Sequence, residues 1–367
     1  MVFEIIIIAV IIAVACAVPG VFLILRRMSL ISDAISHSVL FGIVVFFFLV
    51  KSLHSPLLVA GAVLTGVLTV FLSEMLLKTR LLKEDASIGL VFPALFSIAV
   101  ILISMYAGNI HLDTDAVLMG EITLAPFDRF IVGGVDLGSV SAWLMGGIGL
   151  LNIIFVVVFY KELKISTFDT GLAAALGFSP ALIHYTLMVM VSVTAVGAFD
   201  TVGSILVVAF MIAPGAGAYL LTDKLWMMVV LSVLIGAFSA VVGVLIAFSM
   251  DTSISGTMAT VGGLVFLLTF LFAPERGIIA KILVQRERKW VFAAYMLSVH
   301  LLYHEGTVLE EEESDLSQLT GHLNWSEKFS NSVLASGIRD GLFTRKGTRL
   351  YLTDLGRETA RSLMNQG

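Results

Sequence analysis

The chain has 367 residues, of which 58% are hydrophobic and only 13% are charged, and its mean hydropathy is +1.02. Soluble globular proteins carry about 25% charged residues. This composition therefore excludes a soluble globular protein and indicates a polytopic helical membrane protein. The formal net charge of −5 identifies no partner, and the single cysteine, Cys16, excludes both an intrachain disulfide and a thiolate-rich metal site.

Apolar stretches of roughly 20 residues predict about nine transmembrane helices. The first is too long for a signal-peptide core and is followed by two arginines, so we expect it to be retained. Only residues 200–202 separate the sixth stretch from the seventh, which predicts either a broken helix or a re-entrant hairpin. The predicted spans are 3–25, 30–50, 56–77, 87–107, 139–160, 181–199, 203–221, 225–249 and 256–273.

Basic residues predict the orientation of these spans in the cytoplasmic (inner) membrane. One set of connections is rich in Lys and Arg, whereas the other holds only Lys51 and Arg129. Because positive charge marks the cytoplasmic side, the N-terminus is expected outside and everything after Pro274 inside. The basic residues of the first set are Arg26, Arg27, Lys78, Arg80, Lys83, Lys161, Lys164, Lys224, Arg276, Lys281, Arg286, Arg288 and Lys289.

Asp33 and His37 form the polar pair that points most directly to function. Their spacing places a carboxylate and an imidazole on one helix face, and ionisable groups within a membrane helix mark functional sites. Together they are half of a site for manganese, zinc or iron. Counted from Arg26, His37 is expected roughly 15 Å deep, near the bilayer midplane. The structural alternative is that Asp33 caps a helix beginning near Ser32 while His37 bonds to a neighbouring helix.

Three other residues are weaker candidates for the metal path. Asp200 follows the sixth span, His184 lies near its inner end, and His111 belongs to the long acidic outer loop 108–138. Helix capping for Asp200, packing for His184 and a merely solvated loop are the alternatives. The small residues 214–218 predict a packing interface between permease copies.

The sequence contains no G-x-x-x-x-G-K-[ST] phosphate-binding loop. We therefore expect no catalytic residues in this chain, and any ATP hydrolysis belongs to a separate subunit. The cytoplasmic connection 160–178 predicts a short amphipathic helix that could dock such a subunit, the alternative being an ordinary loop.

The composition changes near Glu275, which predicts a permease domain at 1–274, a basic linker at 275–289 and a cytoplasmic domain at 290–367. The order of helices and hairpin in the last region predicts a small α+β winged-helix-like fold. Its basic stripe is weak, so nucleic acid is not an expected partner. The predicted elements are helices at 290–304, 315–323 and 326–340, a hairpin over 341–353 that turns at Lys346-Gly347, and a final helix from Thr353.

Several different short motifs are distributed over the first 280 residues. They lie at 26–30, 33–42, 84–89, 166–169, 173, 176–177, 195–197 and 213–216. They resemble the motifs of the manganese/zinc/iron family of ABC importer permeases. The resemblance implies a cytoplasmic ABC ATPase dimer, a second permease copy or paralogue, and an extracytoplasmic metal-binding protein, with the transported metal as cargo and no bound cofactor. It also implies that Asp33 and His37 line the metal path. The residues it assigns to ATPase coupling are Ser166, Thr167, Phe168, Asp169, Leu176 and Gly177.

Two other functions stay open from the residues alone. A gradient-driven secondary cation transporter would usually show ionisable residues in two inverted repeats, whereas one Asp/His cluster occurs here. A membrane-tethered regulator would use the tail, whose Leu-Thr-Asp-x-Gly-Arg run at 352–357 resembles the wing of iron/manganese metalloregulators. Oxygen and nitrogen ligands suit manganese, zinc and iron alike, so the metal is left open.

Overall fold

A computed structural model describes residues 1–52, 55–106, 122–132, 135–316, 323 and 325–365. The chain divides into two compact units, Met1–Pro274 and Glu275–Gly367. The first unit is built from helices and a small hairpin, and the second from helices and another hairpin.

Nine helices among the described residues are long and apolar enough to cross a membrane, which confirms the predicted number. Their ends fall within a few residues of the predicted spans because apolar runs bounded by charges or glycine are strong local signals. These helices are α1 (Val2–Leu25), α2 (Leu30–Val50), α3 (Pro56–Lys78), α4 (Glu84–Tyr106), α5 (Val140–Val158), α8 (Pro180–Val202), α9 (Ser204–Leu221), α10 (Leu225–Met250) and α11 (Ile254–Phe272).

Between α5 and α8 the chain forms two short helices, α6 (Tyr160–Phe168) and α7 (Thr170–Ala175). Between α8 and α9 a single residue, Gly203, interrupts the helices. Gly203 has φ +79°, a conformation that L side chains rarely adopt, so glycine is required at this break.

The centre of the first unit is α1, which contacts α5, α8, α9 and α10. Its residues from Ala15 to Leu23 are all buried, because α1 is apolar around its whole circumference and packs on several sides. Asn152 on α5 donates from Nδ2 to the Ala15 carbonyl oxygen at 3.0 Å and to Thr194 Oγ1 on α8 at 2.8 Å. This buried amide joins α1, α5 and α8.

Large apolar side chains cover much of the outer surface of the first unit. Soluble proteins rarely expose such continuous apolar area, whereas a helix that faces lipid does so without cost. Examples are Leu64, Phe71, Ile101, Trp143, Leu150, Phe238, Leu268 and Phe272.

A hairpin of two antiparallel strands precedes α5, with β1 at Arg129–Val132 and β2 at Val135–Ser139. Arg129 donates from Nη2 to Glu4 Oε1 at 3.0 Å and lies 3.7 Å from Asp136, so it ties the hairpin to the start of α1. The sequence predicts an outer loop over 108–138, so the two strands correct that expectation.

The second unit contains α12 (Ile278–His304), α13 (Glu310–Glu313), α14 (Glu327–Arg339), strands β3 (Phe343–Lys346) and β4 (Arg349–Leu352), and α15 (Asp354–Met364). The strands pair antiparallel, and α12 packs on α14 and α15. The core includes the buried residues Leu297, Leu301, Val333, Phe343 and Leu350.

The second unit differs from the expected elements in two places. Its first helix begins at Ile278, so most of the stretch expected as a linker is helical. The hairpin turns at Gly347-Thr348, one residue later than predicted, because Gly347 supplies the positive φ of +65°. The helix predicted at 315–323 falls largely outside the described residues.

Candidate functional site

Asp33 and His37 lie one turn apart on α2, as their spacing predicts. His37 Nε2 is 3.4 Å from Asp33 Oδ1, and the two side chains are 34% and 41% exposed. Two ligands about 2.1 Å from one metal at a tetrahedral angle lie about 3.4 Å apart, so the observed separation suits a shared ion. The pair therefore has both the donor atoms and the spacing of half a metal site.

Neighbouring rings fix the orientation of the His37 imidazole. It stacks on Phe92 of α4, with ring centroids 5.7 Å apart and planes inclined by 27°, and it meets the edge of Phe96 at 6.5 Å. Such contacts between ring systems restrict rotation of the imidazole. One side of the His37 ring is thus covered by α4, while the remainder faces Asp33 and open space.

The capping alternative for Asp33 is wrong. The helix begins at Leu30 with Ser29 as its N-cap residue, so Asp33 already lies inside the first turn and its side chain caps nothing. Counted from Leu30, the first residue of α2, His37 lies about 10 Å along a helix about 30 Å long, instead of the roughly 15 Å obtained by counting from Arg26.

Buried hydroxyl groups cover the rest of α2 near the pair. Ser32 donates to the Met211 sulfur at 3.0 Å, Ser36 to the Ser32 carbonyl oxygen at 3.0 Å, and Thr69 of α3 to Ser38 at 2.7 Å. These side chains satisfy one another or the backbone, so they act in packing α2 against α3 and α9.

A second polar group lies where α1 ends, and its centre is Arg26. The Arg26 guanidinium donates to Thr167 Oγ1 at 3.2 Å, to Ser166 Oγ at 3.0 Å and to His184 Nδ1 at 3.0 Å. Burial lowers the pKa of this guanidinium, an effect that the nearby Glu74 carboxylate opposes. One side chain thereby connects α1 with α6 and α8.

His184 belongs to this group and not to the Asp33/His37 pair. Because arginine can only donate, His184 Nδ1 must accept, which places the ring proton on Nε2. That nitrogen lies against a carboxylate oxygen of Glu74 of α3, and Glu74 also accepts from Tyr185 Oη at 2.8 Å. The packing alternative for His184 therefore describes its contacts better than a role as metal ligand. We call Arg26, Glu74, Ser166, Thr167, His184 and Tyr185 the Arg26 network.

The connection 160–178, which we call the coupling segment after the role that the family resemblance implies for it, forms α6 and α7 instead of one helix. Asp169 separates them in an extended conformation and caps α7, since its Oδ1 accepts from Leu172 N at 2.9 Å. Gly177 ends the segment with φ +85°. Ser166 is buried, whereas the apolar side chains of Phe168, Leu172 and Leu176 are exposed.

The remaining candidates are not brought to the pair. Asp200 is exposed in the last turn of α8, inside the helix and not in a turn as expected. His111 lies outside the described residues. The interface predicted for 214–218 is wrong, since Pro214, Gly215, Gly217 and Ala218 are buried within this chain. Gly215 and Gly217 approach α1 and α11, so the small residues serve close packing inside one unit.

Comparison with known proteins assigns the family. The model of the ABC 3 transport family matches residues 1–273. The chain belongs to the ABC 3 transport family. The prediction of a permease subunit of an ABC metal importer is thereby confirmed, and it is favoured over a gradient-driven transporter or a tethered regulator.

Named relatives of this ABC 3 chain are membrane proteins of metal transport systems. "Zinc transport system membrane protein TroD" of Treponema pallidum is 47% identical over 365 residues, covering 100% of this chain and 99% of the relative. "Manganese transport system membrane protein MntD" of Bacillus subtilis is 47% identical over 283 residues, covering 76% of this chain and 96% of the relative. Among solved structures, PsaBC from Streptococcus pneumoniae in complex with a Fab is similar with a TM-score of 0.61 and 30% identity, covering 74% of this chain and 92% of the other.

The Arg26 network is the part of this ABC 3 chain that sequence reasoning missed. In the sequence, Arg26 marks only the inner interface, and Glu74 is not among the candidate residues. The available signal was the combination of a basic residue, a carboxylate and a histidine at the ends of three spans predicted to share one side of the membrane. Nothing local, however, indicates that these three ends meet.

Proposed function

We propose that this permease carries a divalent transition metal, manganese, zinc or iron, into the cytoplasm, and that Asp33 and His37 are ligands on its path. The observation that supports this most is the 3.4 Å contact between a carboxylate and an imidazole on a membrane helix. A metal on such a path is cargo, so ligands that are few and partly exposed favour release over permanent binding.

Two ligands do not complete a metal shell. The pair is about one-third exposed on a face of α2 that no described residue closes completely. We propose that water and a second permease copy or paralogue, bringing its own α2, supply the other donors. This arrangement places the path between two permeases. The metal is then released when the two copies move apart.

The energy would come from a partner ATPase dimer that docks on the coupling segment. Phe168, Leu172 and Leu176 offer it an exposed apolar surface, and Ser166 and Thr167 behind them are held by Arg26. Since the Arg26 network continues to α3 and α8, a displacement of α6 is passed to helices that flank α2. Coupling by rigid contact of this kind needs no loop to refold.

The orientation that fits this proposal has the N-terminus outside and the second unit in the cytoplasm. An extracytoplasmic metal-binding protein then delivers cargo to the side opposite the coupling segment. For the second unit, at 275–367, we propose a winged-helix-like fold, for which the order α12, α13, α14, β3–β4 and α15 is the support. We expect it to serve regulation and not nucleic-acid binding.

The metal itself is not decided by similarity. The relatives named for zinc and for manganese are each 47% identical to this chain over their matched lengths. A nitrogen and an oxygen donor accept either ion, so selectivity depends on the completed shell.

The proposal is tested by measuring uptake of manganese, zinc and iron. Uptake is measured by mass spectrometry in cells that also express the ATPase and the binding protein. We expect Asp33→Asn and His37→Ala each to lower uptake of the same metal by on the order of tenfold or more at equal membrane abundance, because each removes a ligand. The metal whose uptake is lost in both variants is the cargo.

A matched control is Asp251→Asn, which removes the same charge from an exposed residue at the end of α10. Asp251 has φ +52°, which asparagine also tolerates, so folding is preserved. Unchanged uptake in both Asp33 and His37 variants would contradict the proposed path and make the pair structural.

A further inference from the structure

A cluster of metal-ligand side chains lies in the second unit, where no function has been assigned. His300 and His304 are one turn apart on α12, with ring centroids separated by 4.8 Å. His300 Nε2 lies 3.0 Å from Glu313 Oε2 of α13. One ligand atom from each of the three residues lies within 4.8 Å of the others, and all three side chains are half-buried.

The neighbouring carboxylates in this region are held by other groups. Glu305 receives two hydrogen bonds on Oε1 from Arg357, Glu310 accepts from Gly306 N at 2.7 Å, and Glu311 accepts from Arg349 at 3.1 Å. Glu313 is the carboxylate of the run that is directed at the histidines. The cluster is therefore a specific arrangement of two imidazoles and one carboxylate, not a general acidic patch.

His304 supplies a ring nitrogen that could bind a metal ion. Among the residues that the structure describes, none is found hydrogen-bonded to its ring nitrogens, although the ring contacts those of His300 and Tyr303. A half-buried imidazole without a hydrogen-bonding partner retains a nitrogen lone pair, which is what a metal ion requires.

We propose that His300, His304 and Glu313 bind a divalent transition metal of the zinc class, with water as a fourth ligand. Two histidines one turn apart on a helix and a carboxylate from another element are a ligand set that zinc accepts. Tetrahedral ligands about 2.1 Å from the metal lie about 3.4 Å apart, so separations of up to 4.8 Å must shrink by at most about 1.4 Å. Rotation about the side-chain bonds of His304 and Glu313 would supply this change.

Binding here would act on the hairpin of the second unit. The residues directly after α13 pair with β4, since Leu350 N donates to the Ser314 carbonyl oxygen at 3.0 Å and Leu316 N to that of Thr348 at 2.9 Å. A metal that fixes Glu313 against α12 therefore also fixes the strand partner of the hairpin. That this metal is the transported one, read as a signal in the cytoplasm, rests on the proposed function.

The test is the zinc stoichiometry of the purified full-length chain, measured by equilibrium dialysis and elemental analysis. The measurement uses a background of Asp33→Ala and His37→Ala, so that failure of the proposed path does not affect it. In this background we expect one bound zinc per chain, and we expect His300→Ala with His304→Ala to remove it. Glu313→Gln should weaken binding by on the order of tenfold or more.

Glu312→Gln is the matched control, because it changes an exposed carboxylate one residue away and should leave zinc affinity unaltered. Cobalt(II) provides a second readout, since a tetrahedral site gives intense visible absorption that must disappear with the two histidines. Equal zinc binding and equal cobalt absorption with and without the histidines would overturn the proposal and leave the cluster as a His300–Glu313 hydrogen bond. Circular dichroism of each variant shows that the helices are retained.

Discussion

Arg26 lies at the end of α1, and it determines how three distant parts of the first unit meet. Its hydrogen bonds reach the coupling segment and α8, and His184 extends them to Glu74 of α3. A hydrogen bond that involves a charged group contributes about 1.5–3 kcal/mol to stability. Removing the guanidinium leaves several half-buried acceptors unsatisfied, so stability depends on this residue, as does the coupling that we propose.

We predict that Arg26→Met lowers metal uptake several-fold and lowers the melting temperature of the purified chain, while zinc or manganese binding to the Asp33/His37 pair persists. The reason is that Arg26 contacts the coupling segment and not the pair. Uptake in cells, thermal unfolding in detergent and equilibrium dialysis are the three measurements. Arg27→Met removes the same charge from the exposed neighbour and serves as control; equal uptake in the two variants would contradict a coupling role for Arg26.

At the residue scale, whether a contact can be predicted depends on how far apart its two residues lie in the sequence. Asp33 and His37 could be paired from the sequence because helical geometry alone brings residues four apart together. Arg26, Glu74 and His184 could not, since their contact depends on the packing of α1, α3 and α8. The start of α2 at Leu30 agrees with the predicted span 30–50, whereas the capping alternative placed it near Ser32, because Ser29 and Ser32 are both acceptable N-cap residues.

At the scale of elements, the contact of α2 with α3 positions the Asp33/His37 pair. Gly42 of α2 and Gly61 of α3 meet so closely that a Cβ atom on Gly42 would overlap the Gly61 carbonyl oxygen and Thr65 Oγ1. Close approach through small residues is the usual means of helix association within membranes. The two helices therefore depend on glycine at this crossing.

We predict that Gly42→Ala destabilises the chain and lowers its abundance in the membrane, because backbone atoms of α3 must move to admit a methyl group. Thermal unfolding in detergent and quantitative immunoblotting measure the two effects. Gly89→Ala on α4 is the control, since a Cβ there meets no described atom within 4 Å. In that exposed helical position alanine should preserve or raise stability by about 0.5–1 kcal/mol. Equal stability of the two variants would show that α2 and α3 can separate freely.

Spans were predictable because each depends on its own apolar residues, as the agreement between the expected 225–249 and the observed Leu225–Met250 illustrates. The coupling segment was only half predictable. Its helical character and its end at Gly177 are local, but the break at Asp169 requires that side chain to cap α7 and not to continue α6. The strands β1 and β2 are four and five residues long, too short to give a periodic signal.

At the scale of the whole molecule, the two units differ in their resemblance to known proteins. The family model ends at residue 273, close to the division at Pro274. The match to MntD covers 96% of that relative but only 76% of this chain, whereas the match to TroD extends over 100% of it. The part of MntD outside the match is thus too short for a second unit of this size.

We predict that a chain ending after Pro274 still imports metal when its partners are present, because the predicted path, the Arg26 network and the coupling segment all lie in the first unit. The same truncation should lose the zinc bound by His300, His304 and Glu313. Cellular uptake and zinc stoichiometry of the truncated and full-length chains measure both effects. Loss of uptake at unchanged abundance would instead make the second unit an essential part of the transporter.

The central position of α1 has a consequence for how the protein is made. The helices α9 and α10, which cover much of α1, are synthesised roughly two hundred residues after it. During that interval its future core surface is exposed to lipid, which the nearly unbroken apolar sequence after Glu4 tolerates. The later helices are therefore assembled around α1. An error in any of the last spans leaves α1 uncovered and open to quality-control proteases.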